Sequence, residues 1–356
     1  MSYQILQEKL NTLNIPFQIN RPLAAYTTWR LGGPADIFCE IRNISTLTTV
    51  VIFCQKNEIP FTILGGGSNV LIADQGIRGL VIKNLCSNIE IITASPNFKI
   101  DKTIIPRLIQ LESKKYGNFP ELEYDETKSK KIQVKISSGT NLAITINHLI
   151  NKGITGLQWF AGIPGTIGGA VYNNIHGGAH FFSEYVIGVD LLLKTGEIQF
   201  QKNSKLNFNY DYSGIQKLDA VILNIYLQLY LGNAKKAKET ATKWTIMKLQ
   251  QPKNSAGCCF KNLNQIDQLR LKLPSNSWGY IIDNILHLKG TTIGGAKISD
   301  FHAAFIETNS KAKAVDVIMI LNIIFQAAQK NLGISPELEI FLLGFSKATK
   351  HLFTKK

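Results

Sequence analysis

The chain has 356 residues, of which 45% are hydrophobic and 18% charged, so it is long enough for about two or three globular domains with a sizeable core. Its formal net charge of +14 favours an acidic partner, such as a nucleic acid, a membrane surface or a phosphorylated small molecule. The lysines are scattered and form no basic stripe with interleaved aromatic residues, so nucleic acid is not expected as a partner.

The first quarter of the chain alternates helical and extended patterns, which indicates an α/β arrangement. In order, the pattern predicts a helix at Tyr3–Leu13, a strand at Ala35–Ile41, a helix at Ile44–Asn57, and strands at Phe61–Leu64 and Gly79–Ile82. The first helix carries Glu8 and Lys9 within an amphipathic stretch, which is not typical of a signal peptide.

The pattern degrades in the polar and charged segment Ser95–Lys131, which we expect to be a surface insertion. Order resumes with a strand at Ile132–Ser138. A helix is then predicted at Leu142–Lys152, and Gly153 is well placed to end it.

The second half of the chain continues with strands and then helices. The pattern predicts strands at Val186–Leu193, Ile198–Gln201 and Ala220–Leu231, helices at Lys235–Gln250, Trp278–Ile285 and Ala314–Lys330, and a late strand at Glu337–Leu343. The most apolar helix contains Asp316 and Asn322 and is too short for a membrane span, so we interpret it as a core helix and expect no membrane insertion.

Two glycine-rich segments stand about a hundred residues apart in the numbering of the chain. The first is LGGGSNVL (Leu64–Leu71), and the second is GIPGTIGGAVYNN (Gly162–Asn174). Closely spaced glycines allow backbone N–H groups to approach a pyrophosphate, so the two loops could hold one dinucleotide from two sides. The alternative is two tight turns. Neither segment has the G-x-G-x-x-G pattern that follows a strand in Rossmann folds.

Five cysteines are present: Cys39, Cys54, Cys86, Cys258 and Cys259. Their number is odd and none shows C-x-x-C spacing, so the pattern predicts neither a disulfide framework nor a metal site. Unpaired thiols fit a reducing compartment, and we expect a cytoplasmic protein.

Several segments, including the two glycine-rich ones, contain motifs that occur in the same order in one enzyme family. They are TTWRLGGPADIF (Thr27–Phe38), ILGGGSNVLI (Ile63–Ile72), GLQWFAGIPGTIGGAVYNN (Gly156–Asn174), FNYDYS (Phe208–Ser213), SAGCCFKN (Ser255–Asn262), IGGAKIS with FHAAF (Ile293–Phe305) and LEIFLLG (Leu338–Gly344). In this order they resemble the bacterial UDP-N-acetylenolpyruvoylglucosamine reductases, flavin enzymes that complete UDP-N-acetylmuramate in peptidoglycan synthesis. The segment Ser95–Lys131 has no recognised counterpart in that family.

The resemblance implies an α+β fold with a vanillyl-alcohol-oxidase-type, two-part FAD-binding region and a C-terminal α+β substrate domain. The expected boundaries are residues 1–92 for the first FAD-binding subdomain, 93–131 for the surface insertion, 132–233 for the second subdomain and 234–356 for the substrate domain. It also implies FAD as cofactor, NADPH as electron donor, a UDP-sugar substrate and a bacterial source. We expect a monomer.

The implied reaction reduces a vinyl ether to a lactyl ether, which requires a proton donor and a group that stabilises the developing enolate. Cys258 stands where the family has its proton-donating serine, and a thiol with a pKa near 8.5 is mostly protonated at neutral pH. Glu339 matches the family's C-terminal catalytic glutamate. The alternatives are a small core cysteine and a solvated carboxylate on an edge strand.

Asp211 departs from the family, which has an arginine at this position to stabilise the substrate carboxylate and the enolate. A negative charge in a poorly screened anion site could cost several kcal/mol. Lys217 or Lys261 could substitute, although a lysine lacks the bidentate fork of arginine. The role of Asp211 in the catalytic set therefore stays open.

The remaining candidate residues follow from the motif positions. Those expected to bind FAD are Arg30, Gly65, Gly66, Gly67, Ser68, Asn69, Ile163, Gly168 and Gly169. Those expected to bind the substrate are Tyr210, Lys253 and Lys261. Arg30 has a structural pairing role as its alternative, and lysines are commonly only solvated.

Three functions remain open at this point. The first is NADPH-dependent, FAD-containing reduction that yields UDP-N-acetylmuramate. The second is an FAD oxidoreductase of the same fold with another substrate, and the third is a flavin-binding protein of low activity. Both are kept because Asp211 replaces the family arginine.

Overall fold

A computed structural model describes residues 2–92 and 122–353 of the chain. These residues form two compact units. Unit 1 consists of residues 2–16, 39–66, 82–92 and 122–249, and unit 2 consists of residues 17–38, 67–81 and 250–353. Most of the predicted insertion, residues 93–121, lies outside the described residues, and the predicted domain boundaries stay a prediction.

The strands of the described residues are β1 (Phe17–Pro22), β2 (Pro34–Ile41), β3 (Phe61–Leu64), β4 (Val70–Ile72), β5 (Ile77–Asn84), β6 (Ile89–Ile92), β7 (Lys130–Ser137), β8 (Ile154–Thr155), β9 (His176–Gly177), β10 (His180–Phe181), β11 (Val186–Leu193), β12 (Ile198–Lys202), β13 (Ala220–Leu231), β14 (Thr292–Ile293), β15 (Ala296–Ile298), β16 (Ile306–Thr308) and β17 (Phe341–Leu343). The helices are α1 (Ser2–Thr12), α2 (Ile44–Lys56), α3 (Leu142–Asn151), α4 (Ile167–Asn173), α5 (Ala234–Leu249), α6 (Gln265–Arg270), α7 (Trp278–Tyr280), α8 (Ala314–Leu332) and α9 (Lys347–His351). A π-helical turn, Ile281–Ile285, continues α7.

Unit 1 is built on an antiparallel sheet with the strand order β12-β11-β13-β7-β6, and β8 also pairs with β13. The central strand β13 alternates apolar residues in register with β7, for example Leu227 opposite Val134 and Leu229 opposite Ile132. Helix α3 begins because the Asn141 side chain accepts a hydrogen bond from the Ile144 N–H. Its buried face joins the sheet in one hydrophobic core.

A second sheet has the order β1-β2-β5-β3, and the boundary between the units falls within β2 and β5. This sheet matters for function because its strand β3 leads directly into the first glycine segment.

The core of unit 2 surrounds helix α8, whose apolar residues recur at helical spacing. Val317, Ile320, Leu321 and Ile324 are all buried there. The helix begins where both carboxylate oxygens of Asp74 accept hydrogen bonds from the Ala314 and Val315 N–H groups. Strand β17 pairs with β4 in parallel, which brings the C-terminal motif beside the end of the first glycine segment.

Most elements lie within a few residues of their predicted positions, and two differ. The predicted strand Glu337–Leu343 is too long, since only Phe341–Leu343 pairs as a strand, with β4. The predicted helix Trp278–Ile285 is divided into an α-helical turn and a π-helical turn. Within residues 2–92 and 122–353, no helix combines the length and apolarity needed to cross a bilayer.

Candidate active site

The central part of the first glycine segment, Gly65 to Asn69, lies between β3 and β4. In unit 1, a methyl group on Gly65 would lie 2.9 Å from Thr166 Oγ1, and one on Gly66 would lie 2.7 Å from Gly165 Cα. The backbones of the two glycine segments therefore touch, and they can do so only because these residues carry no side chain.

The same segment continues into unit 2 with Gly67, whose φ is +67°. A methyl group there would lie 1.9 Å from the Tyr26 carbonyl oxygen, so glycine is required for packing as well as for conformation. The Gly67 carbonyl accepts a hydrogen bond from the Thr28 N–H at 3.1 Å. The loop thus has a fixed path on the unit 2 side.

The second glycine segment begins helix α4. Thr166 caps the helix, with its Oγ1 accepting from the Gly169 N–H at 3.3 Å. The Gly168 N–H donates to the Ser138 carbonyl at 2.8 Å, and a methyl group on Gly168 would lie 2.8 Å from Ser138 Cβ. Ile163 is half-buried against the core of unit 1. Thr166 therefore caps α4 and also packs against Gly65 of the first segment, a role that its position in the motif did not reveal.

Lys83 is a further residue that sequence reasoning missed. Its ammonium donates a hydrogen bond to the Gly65 carbonyl. Burial lowers the pKa of Lys83, and the charge of Glu40 partly offsets this effect. The only signal in the sequence is a lysine near the end of the otherwise apolar run GLVIKN.

Glu339 lies next to the Cys258–Cys259 segment in unit 2 through a backbone hydrogen bond to Cys259. The carbonyl of Cys259 accepts the Glu339 N–H at 2.9 Å, while Asn69 Nδ2 donates to the Glu339 carbonyl at 3.1 Å. Cys258 itself is half-buried and pairs with Phe305 in an isolated bridge. A residue of the first glycine segment therefore contacts the backbone of Glu339, which in turn contacts Cys259, the neighbour of Cys258 in sequence.

The neighbouring cysteine is different. Cys259 is fully buried in the core of unit 2, and burial raises its pKa to about 12. Of the two adjacent thiols, only that of Cys258 is partly exposed.

The two lysine candidates for substrate binding have different surroundings. Lys261 Nζ lies 2.8 Å from Glu337 Oε1 in an ion pair, and its side chain is largely buried. Lys253 is exposed. Arg30, a candidate for FAD, is exposed with φ +58°, and its guanidinium donates to the Ala25 carbonyl at 3.4 Å.

Tyr210 and Asp211 lie in unit 1, next to His176. The Tyr210 and His176 rings stack with their centroids 5.4 Å apart. His176 Nε2 lies 3.7 Å from Asp211 Oδ1, and Asp211 is buried with φ +46°. Burial and the charge of Lys248 lower the pKa of His176 to about 4, so the imidazole is neutral at pH 7 and does not form an ion pair with Asp211.

The residues of the two glycine segments fit a dinucleotide cofactor. In unit 1, a Cβ on Gly65, Gly66 or Gly168 would collide with neighbouring protein atoms, so the close packing of the two segments requires glycine there, and closely spaced backbone amides of this kind suit a pyrophosphate. Among the described residues, no group of His, Cys, Asp or Glu side chains is arranged to hold a metal ion.

Comparison with known proteins agrees with this geometry. Residues 118–200 match the family described as FAD binding domain, and residues 249–343 match the C-terminal domain of UDP-N-acetylenolpyruvoylglucosamine reductase. The reductase of Prochlorococcus marinus is 30% identical over 335 residues, covering 93% of this chain and 99% of that protein. The chain belongs to the UDP-N-acetylenolpyruvoylglucosamine reductase family.

Another member, the UDP-N-acetylenolpyruvoylglucosamine reductase of Moorella thermoacetica, is 30% identical over 350 residues, with 97% of this chain and 99% of the relative covered. The crystal structure of the reductase from Thermus caldophilus superposes with a TM-score of 0.65 at 24% identity, covering 92% of this chain and 98% of that one. The predicted α+β fold class and the predicted FAD cofactor are confirmed. The individual site residues stay predictions.

Proposed function

We propose that the protein is an NADPH-dependent, FAD-containing reductase that converts UDP-N-acetylglucosamine enolpyruvate to UDP-N-acetylmuramate in peptidoglycan synthesis. The observation that supports it most directly is that the backbone of Glu339 is hydrogen-bonded both to Asn69 of the first glycine segment and to Cys259. Relatives named for this reaction match the chain over almost their whole length, which favours this substrate over another one.

The proposed FAD-binding set keeps Arg30, Gly65, Gly66, Gly67, Ser68, Asn69, Ile163, Gly168 and Gly169. When bound, FAD would supply the hydride chemistry between NADPH and the enolpyruvyl double bond. Backbone amides of the first glycine segment would bind and orient the pyrophosphate.

Cys258 is the proposed proton donor. When hydride adds to the terminal carbon of the enolpyruvyl group, negative charge develops on the neighbouring carbon and its carboxylate. The Cys258 S–H bond breaks, the proton forms a C–H bond at that neighbouring carbon, and water returns a proton to the thiolate. The buried Cys259 thiol, with its pKa near 12, is unsuited to this role.

Glu339 is proposed to act on the substrate carboxylate, with its backbone held on both sides by Cys259 and Asn69. Tyr210, Lys253 and Lys261 are proposed to contact the UDP-sugar. Asp211 cannot take over the anion-binding role of the family arginine, since its buried carboxylate would repel the substrate anion. In this proposal, Asp211 instead organises the neighbouring His176 ring.

The two half-reactions test the role of Cys258 separately. In Cys258→Ala, reduction of the bound flavin by NADPH should be unchanged, while reoxidation by the enolpyruvyl substrate should slow by at least about a hundredfold, the usual contribution of a general acid. Cys259→Ala is the matched control, since it removes a neighbouring thiol from the core and should alter stability but not reoxidation. Rapid reoxidation of Cys258→Ala would exclude Cys258 as the acid.

We further propose that the protein acts as a cytoplasmic monomer on this small-molecule substrate and does not bind nucleic acid. The scattered lysines and the cysteines without a disulfide pattern support this assignment. Sedimentation equilibrium at micromolar concentration should give a mass close to 39.6 kDa.

A further inference from the structure

A short hairpin in unit 1 contains His176, which lies beside Tyr210 and Asp211. Strands β9 and β10 pair antiparallel, with Phe181 opposite His176 and His180 opposite Gly177. The hairpin therefore has His176 at one end, against Tyr210 and Asp211, and His180 on its second strand.

Residues 122–126, which we call the strap, cross the same region of unit 1. Leu122 is buried in the core. The Tyr124 ring lies 5.0 Å from that of Trp159, measured between centroids. Glu126 accepts hydrogen bonds from Thr155 Oγ1 at 2.7 Å and from Gln158 Nε2 at 2.8 Å. The strap is thus fixed to unit 1 at both of its ends.

His180 joins the strap to the hairpin. Its Nε2 lies 2.9 Å from Glu123 Oε2 of the strap, and its Nδ1 lies 3.1 Å from Glu184 Oε2. With a carboxylate at each ring nitrogen, both nitrogens donate, which requires the imidazolium form. The ring also stacks on Trp159, with centroids 4.3 Å apart and planes inclined by 15°.

The electrostatics agree with this geometry. Burial alone would lower the pKa of His180, but its hydrogen bonds to Glu123 and Glu184 and the charges of both carboxylates raise it to about 9. The hydroxyl of Tyr185 lies 3.4 Å from Nδ1 and completes the polar surroundings of the ring. His180 is therefore a cation at neutral pH, bridging two elements.

The hairpin packs closely against the strap. A methyl group on Gly177 would lie 2.0 Å from the Trp159 carbonyl oxygen. A methyl group on Gly178 would lie 2.9 Å from Glu123 Oε1 and 3.0 Å from Trp244 Cζ2. The turn is thus packed directly on Trp159, Trp244 and the strap residue that binds His180.

We propose that His180 is a positioning residue for substrate binding: by tying the strap to the hairpin, it holds His176 against Tyr210 and Asp211. This inference rests on the proposed function, because Tyr210 is a proposed contact of the UDP-sugar. The family arginine is missing at Asp211, so the neighbouring ring surface of His176 and Tyr210 gains importance for substrate affinity in this chain. In this proposal, His180 acts on substrate binding through the position of His176.

The test is His180→Gln, which keeps a hydrogen-bonding side chain but cannot bridge two carboxylates as a cation. The dissociation constant of the unreactive product UDP-N-acetylmuramate, measured by calorimetry on the holoenzyme, and the KM of the enolpyruvyl substrate should both rise about tenfold. The kcat, the rate of reduction by NADPH and the FAD dissociation constant should stay within about twofold. Exposed His148 on α3 provides the control, His148→Gln, which should change none of these quantities.

Glu123→Gln is the second variant, because it preserves the His180–Glu184 contact and removes only the strap carboxylate that contacts His180. It should raise the same two constants about threefold and should increase amide hydrogen exchange in the hairpin, which does not depend on turnover. Unchanged product affinity and unchanged exchange in both variants would overturn the proposal. A parallel loss of kcat and FAD binding would also overturn it, since it would indicate a general structural role. If the wild-type protein fails to reduce the enolpyruvyl substrate but the variants still show increased hydrogen exchange in the hairpin, the proposed function is wrong. The contact between His180 and the strap would then still be supported.

Discussion

At the scale of single residues, Lys83 shows how a side chain can orient a backbone binding loop. In a trans peptide the C=O and the following N–H point in opposite directions. Because Lys83 binds the Gly65 carbonyl, the Gly66 N–H is turned to the other side of the same peptide. A phosphate on that side would meet an amide already oriented toward it.

We therefore expect Lys83→Met to weaken FAD binding about tenfold, whereas Lys83→Arg, which retains a donor, should lose less. Fluorescence titration of the apoprotein with FAD measures this affinity directly. Lys135→Met is a matched control. Lys135 is on β7, and its ammonium lies over the ring of Tyr226 on β13, away from the Gly65 carbonyl that Lys83 binds. Equal FAD affinity in Lys83→Met and the wild type would contradict this role.

At the scale of elements, the N-terminus of α8 depends on a carboxylate that is distant in sequence. Asp74 accepts from the first two amides of the helix at 2.8 and 3.0 Å. Asp74→Ala should lower the free energy of unfolding by about 1–2 kcal/mol, as expected for loss of a helix cap. Urea denaturation followed by circular dichroism measures the change.

The control for this helix is Asp219→Ala. Asp219 pairs with Lys194 at the surface, where both side chains are more than two-thirds exposed. Such a pair contributes little, so its removal should change the free energy of unfolding by less than about 0.5 kcal/mol. Equal effects of the two substitutions would mean that Asp74 does not stabilise α8.

The contact of the strap with His180 predicts a dependence of stability on pH. The folded-state pKa of His180, about 9, lies above the ordinary value of 6.5, so protonation favours the folded state. The stabilisation is fully present below pH 6.5 and is lost as the pH rises through 9. The groups that face the ring are Glu123, Glu184 and Tyr185.

Accordingly, the loss of unfolding free energy in His180→Gln should be largest at pH 6 and should shrink by pH 10. Denaturant unfolding of both proteins at these two pH values provides the comparison. A difference that grows with pH would show that His180 is neutral in the folded protein.

Local patterns predicted most elements but not the contacts between distant ones. The strand Ala220–Leu231 was predictable because its apolar residues alternate from Leu223 to Leu231. The run Glu337–Leu343 has a similar pattern, yet only its last three residues form a strand, paired with β4, because Leu338 makes only an isolated bridge with Phe260. Lys83, Thr166 and His180 were missed because their roles depend on residues that the fold brings to them from elsewhere in the chain.

At the scale of the whole molecule, the cofactor should contribute to stability. FAD is expected to bind the folded chain and not the unfolded one, so the free energy of unfolding should rise with its concentration by about 2.7 kcal/mol at one hundred times the dissociation constant. Differential scanning calorimetry of apoprotein and holoprotein measures the shift. A melting temperature that does not depend on added FAD would contradict the assignment of the glycine segments.

The unequal burial of the five thiols has a practical consequence. Cys39, Cys54 and Cys259 have pKa values raised to about 12, and Cys86 to about 11, because all four are buried. A mild alkylating reagent such as iodoacetamide should therefore modify Cys258 first, giving a single adduct in the intact mass spectrum. The enzyme would then be open to irreversible inhibition by weak electrophiles, a vulnerability that a serine at the same position does not create.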